Sequence, residues 1–140
     1  MNILHYMITP RGWIVSAKMY SLVVENGFLY ILHTGRAADP TGLFLPSYSR
    51  WGIAPKIIQA KYDQRVLPNQ KTIESGGPDV FLTGNKGCVK FLLSQVSEVK
   101  VEDSTWKGCS LYFLVNGKKY RFIFDRPRMD EVTNFSAQLS

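Results

Sequence analysis

Cysteine, histidine and signature motifs are what this sequence is short of, and each shortage removes a class of chemistry. Its 140 residues include two cysteines and two histidines, too few for a disulfide scaffold or a dense metal site. Cys88 and Cys109 lie in segments with strand patterning, so free thiols in a reducing compartment are expected, while a disulfide between neighbouring strands stays open. His5 and His33 have no ligand-type residues at the tight spacings that zinc needs, and no metal site is expected. No nucleophile elbow, phosphate loop or dinucleotide fingerprint occurs. Gly76-Gly77 runs into Pro78, which does not suit a phosphate-cradling helix of the usual form. The expectation is a protein that is not an enzyme, with no catalytic residues, no cofactor and no small-molecule substrate. No apolar run is long enough to cross a bilayer. The first ten residues lack a basic stretch, and their short apolar run is broken by His5, unlike a secretory signal. A cytoplasmic protein is expected, with association to a membrane surface left open.

The chain does carry an excess of positive charge. Lys and Arg number 17 against 11 Asp and Glu, for a net charge of +6, which permits attraction to nucleic acid, anionic lipid or an acidic protein without choosing among them. The length suits one domain with one core.

Two Asn-Gly dipeptides set the fold pattern. A two-residue type I′ turn demands positive φ at both positions, which Asn-Gly accepts. Asn116-Gly117 then pairs Val115 with Lys118, Phe113 with Tyr120, Leu111 with Phe122 and Cys109 with Phe124 on a core face. Tyr112 falls beside Arg121, and Leu114 beside Lys119, on the opposite face. Asn26-Gly27 likewise pairs Leu22 with Ile31 and Val24 with Leu29. Here Val23, Phe28 and Tyr30 on the other face are also apolar, so a covering element is implied. A strand pattern from Cys88 to Leu93, a bend at Ser94-Gln95, and alternation through Val99 and Val101 lead back to the second hairpin. The chain closes with Pro127, then Asp130 and Glu131 in a first helical turn, and an apolar stripe of Met129, Val132, Phe135 and Leu139. Such a short helix must pack on the sheet.

Residues 36–87 break this pattern. They begin as a long Gly-, Pro- and Ser-rich stretch with Phe44, Tyr48 and Trp51, of a length that in compact domains is uncommon unless functional or disordered. The spacing of Ile58, Tyr62 and Val66 predicts a helix over 55–67, opened by Pro55 and ended by Pro68. Residues 69–87 read as polar and turn-rich, apart from Val80, Phe81 and Leu82, which suit either a helical turn or a strand stub.

The order of an early hairpin, a later meander and a final helix resembles a pleckstrin-homology-like (PH-like) domain. The run from Leu22 through Asn26-Gly27 to His33-Thr34-Gly35 looks like the first hairpin of bacterial PH-like proteins of uncharacterised role. Val89 with Val96-Ser97-Glu98-Val99, Leu111-Tyr112-Phe113 and Gly117-Lys118-Lys119-Tyr120-Arg121-Phe122 look like their later strands. The resemblance implies a single domain over 1–140. It would be an α+β, mainly β fold: a bent antiparallel sheet or partly open barrel, capped by a helix at about 127–139, with an insertion at about 36–87. Lipid-binding PH domains hold inositol phosphates with a basic cluster around the first hairpin loop. Here that loop is a bare Asn26-Gly27 with only Lys18 and Arg36 nearby, so that mode is not expected.

Three contact surfaces follow, all for a binding or interaction module. The apolar face of Val23, Phe28 and Tyr30, with the 36–87 insertion, would meet a protein partner or a second copy of the chain. Arg50, Trp51, Lys56, Lys61 and Arg65 would place a basic helix with an aromatic anchor on an anionic membrane. Tyr112, Lys119 and Arg121 would present a basic, aromatic sheet face to nucleic acid.

Overall fold

In a computed structural model of the chain, the described residues are 1–9, 17–37, 64–104, 108–124 and 126–140. They form an antiparallel sheet of seven strands: β1 (Asn2–Ile8), β2 (Ala17–Glu25), β3 (Phe28–Ala37), β4 (Val89–Leu92), β5 (Val96–Ser104), β6 (Gly108–Val115) and β7 (Lys118–Phe124). Three helices accompany it: α1 (Val66–Gly76), α2 (Pro78–Gly84) and α3 (Met129–Ser136). The architecture is mixed α+β and mostly sheet.

Both Asn-Gly turns form as their chemistry requires, with Asn26 and Gly27 at φ 53° and 80° and Asn116 and Gly117 at 52° and 82°. The registers follow: Leu22 faces Ile31 and Val24 faces Leu29, while Cys109, Leu111, Phe113 and Val115 face Phe124, Phe122, Tyr120 and Lys118. The bend expected at Ser94-Gln95 is a 3-10 turn, Leu93–Gln95, between β4 and β5.

The sheet order is β4-β3-β2-β1-β7-β6-β5. β1 joins its halves, pairing along much of its length with β2 and through Ile8 with Ile123 of β7. The sheet folds over on itself. β4 and β7 are four strand spacings apart in this order, roughly 19 Å on a flat sheet, yet the rings of Phe91 and Tyr120 lie 5.9 Å apart. The inward faces of both halves therefore share one core, in which Leu4, Leu22 and Ile31 meet Leu111, Phe113 and Phe122. Val132, Phe135 and Leu139 of the C-terminal segment complete that core, as the stripe demanded. A bulge at Tyr6, held at φ 58°, lets β1 turn, and Arg128 donates to the Tyr6 carbonyl at 3.3 Å.

The segment after β3 departs from the expected layout. Val66 begins a helix instead of ending one, and Pro68 sits in its first turn, where its missing N–H leaves no helical bond unmade. The Val80-Phe81-Leu82 cluster is helical, in α2, which starts at Pro78 after Gly77 (φ 85°). The rest of the predicted helix, 55–63, lies outside the described residues. α1 and α2 lie on the outward face of β2–β3, where Ile73 and Phe81 pack on Val23, Tyr30 and Leu32. They are the covering element that the two-sided apolar pattern implied. Among the described residues no helix is long and apolar enough to cross a membrane.

Candidate anionic-partner interface

The predicted contact residues fall in three different situations. Arg50, Trp51, Lys56 and Lys61 lie outside the described residues, while Arg65 is exposed just ahead of α1. Val23 and Tyr30 are not a surface. They are 0 % and 2 % exposed beneath α1 and α2, and Phe28 is half-buried with the Lys90 ammonium 4.1 Å from its ring centre. The expectation that this apolar face meets a partner is corrected: helices of the same chain fill it. Tyr112, Lys119 and Arg121 do stand together, on the outward face of β6–β7.

β5 enlarges that face. Lys100 pairs with Tyr112, which pairs in turn with Arg121, so Lys100, Tyr112 and Arg121 form one row across three strands. The next row is Ser97, Leu114 and Lys119. Simple alternation would put Glu98 on the same side as Lys100, where it would offset the charge. Instead the register slips between Ser97 and Lys100, with Glu98 at φ 52°, and this bulge takes Glu98 out of the outward rows. Lys100 and Lys119 are exposed, and Tyr112, Leu114 and Arg121 half-buried. Among the described residues none of the three cations has a carboxylate partner. Glu102, exposed beside Ser110, supplies a negative charge at one end of the face. Lys100 was not legible as part of this site because the bulge has no distinctive residue such as glycine to announce it.

Other cations are already engaged. Lys90 binds Asp79 at 3.0 Å, and Tyr30 donates to the same carboxylate at 3.0 Å, tying α2 to β3 and β4. The Lys90 bond holds the Asp79 carboxyl below its usual range, and the bond to Asp79 raises Lys90. Arg126 binds Asp103 at 2.8 Å. Arg128 grips Glu131 through two nitrogens, at 3.1 and 3.2 Å.

His5, which sequence spacing left without neighbours, has them in space. Its Nδ1 lies 2.6 Å from Ser21 Oγ and its Nε2 2.8 Å from Glu74 Oε1, an alignment of hydroxyl, imidazole and carboxylate. Ser21 is 0 % exposed in the middle of β2, so no substrate carbonyl can reach its oxygen. The arrangement joins β1, β2 and α1. No pattern could have found it, since the partners are 16 and 69 residues away. His33 packs beside Tyr20, its facing residue on β2, with ring centres 5.4 Å apart, and burial lowers its pKa. Cys88 and Cys109 are both free, and burial pushes both thiols up, away from the reactive thiolate. Among the described residues no three His, Cys, Asp or Glu side chains gather as metal ligands.

No family model, no curated protein and no solved structure matches this chain.

Proposed function

We propose that this chain is a non-catalytic binding module of PH-like build, and that it holds single-stranded nucleic acid on the outward face of β5–β7. The carrying observation is the row of Lys100, Tyr112 and Arg121, with Lys119 in the next row, where among the described residues no cation is neutralised by a carboxylate. Two strand spacings separate Lys100 from Arg121, roughly 10 Å, and Lys119 lies about 7 Å along the strand from Arg121. Phosphates can meet these cations while a base stacks on Tyr112 and against Leu114. Sheet order, the shared core of the folded-over sheet and the helix closing it support the PH-like reading.

The alternatives rest on less. A partner docked on Val23, Phe28 and Tyr30 would have to displace α1 and α2. Binding to an anionic membrane through 50–65 relies on residues of which only Arg65 is described.

The test is fluorescence anisotropy with a short labelled single-stranded oligonucleotide over a salt series. Three phosphate contacts give log K falling with log salt at a slope of roughly 2. The Lys100→Glu, Arg121→Glu double variant should abolish binding, and Tyr112→Ala should weaken it with little change in slope. Absence of salt-dependent binding would refute the reading. Binding only to a polyglutamate peptide would transfer the face to an acidic protein partner, and binding only to anionic vesicles would transfer function to the membrane reading.

A further inference from the structure

The alignment of Ser21, His5 and Glu74 has a direction. A carboxylate only accepts, so Nε2 of His5 carries the hydrogen facing Glu74 Oε1 at 2.8 Å. The neutral ring is then bare at Nδ1 and accepts the Ser21 hydroxyl at 2.6 Å. Ser21 is completely buried, and its hydroxyl has no other side-chain partner among the described residues. We propose that His5 is an acid-sensitive latch for the helical layer: neutral, it ties α1 to β1 and β2, and on protonation it loosens that tie.

Protonation places a second N–H on Nδ1, pointing at Ser21 Oγ. Two donors cannot share one axis, so the hydroxyl hydrogen must turn away from its acceptor into a buried space, and leaving it unmatched is costly. Among the described residues the charged groups facing the ring are Glu74 of α1, Glu131 of α3 and Arg128 of the 3-10 turn before α3 (Arg126–Arg128). Tyr6, on β1 itself, sets a neutral ring 6.3 Å away. The two carboxylates favour the imidazolium. Arg128 opposes it and is bound to Glu131, offsetting that charge. Burial outweighs the net attraction and holds His5 below its ordinary value of 6.5.

The sign follows. With α1 undocked and His5 in water, the ring takes a proton near 6.5, whereas the docked ring takes it only at lower pH. Docking is at full strength above about 6.5 and weakens as pH falls through the window below, by up to about tenfold per pH unit. The second tie, Tyr30–Asp79–Lys90, keeps its charges there, because Asp79 is held low and Lys90 high. α1 therefore responds first, and its loosening lifts Ile73 from the cluster of Val23, Tyr30 and Leu32 while Phe81 of α2 stays in place.

Hydrogen exchange of the amides of residues 72–76, corrected for intrinsic rates, tests this between about pH 7.5 and pH 5.5. In the wild type their protection should drop, by no more than about tenfold, while β6–β7 holds. In His5→Gln, which keeps a donor and an acceptor but does not titrate, it should stay level. An imidazole titration by NMR should place His5 below 6.5, and Ser21→Ala should move it upward by removing the conflict. Level protection in the wild type, an equal drop in His5→Gln, or a wild-type His5 that titrates above 6.5 would each overturn the latch. The titration uses the wild type, so it decides the matter even if a variant fails to fold.

Discussion

The hairpins β2–β3 and β6–β7 share a turn with both central residues at positive φ and an inward face that feeds the same core, but their outward faces part company. On β2–β3 the outward residues Val23, Tyr30 and Leu32 are apolar, and α1 and α2 bury them. On β6–β7 the outward positions nearest the turn hold Tyr112, Leu114, Lys119 and Arg121, of which Lys119 is exposed and the others half-buried. The inward pattern makes the fold, and the outward pattern decides which half is free to bind. A face that could have been sticky is closed by the protein itself, and the other carries cations that have no carboxylate partner among the described residues.

The largest disturbance comes from the part both hairpins share. Phe113 is fully buried and its ring stacks on Tyr120 and Phe122 at 5.6 and 6.1 Å. Phe113→Ala should cost about 3–5 kcal/mol in a urea melt and loosen both halves together. Ile73→Ala, expected to cost about 2–4 kcal/mol, should break the contrast between the halves. The face beneath α1 would lose its cover, with hydrogen exchange rising in 66–84 more than in 108–124. Next is Gly117→Ala. A Cβ there meets nothing within 4 Å, so the cost is the positive φ of 82° alone, about 1 kcal/mol, and Gly27→Ala should match it. Equal losses would confirm that the two turns are alike and that the difference lies in their faces. Smallest in stability is the Lys100→Glu, Arg121→Glu pair, within about 0.5 kcal/mol, since neither charge has a carboxylate partner among the described residues.

Much of the sheet could be read ahead because the Asn-Gly turns lock the register and a period of two then assigns the facing pairs, in β2–β3 as far as the slip between Met19 and Tyr20. The need for a cover over Val23, Phe28 and Tyr30 was legible for the same reason, and so was the closing helix, from the stripe ending in Phe135 and Leu139. β1 was not read as a strand. Its alternation breaks at Tyr6, where the backbone bulges. α1 was hidden by Pro68, which marks a helix end as readily as a first turn, and by a polar exterior around the buried Val66, Gln70 and Ile73. Of the open face, Tyr112, Lys119 and Arg121 followed from the turn, while Lys100 needed the unsignalled bulge at Glu98. The tie through His5 depends on three elements meeting in space, which local pattern does not encode.

The most direct measurement is backbone chemical-shift mapping of the protein titrated with a single-stranded oligonucleotide. Shifts concentrated on residues 97–102, 110–114 and 119–123, fading as salt is added, are expected if the open cationic face is the binding surface. Shifts centred on α1, α2 or residues 38–63, with β5–β7 unmoved, would contradict it.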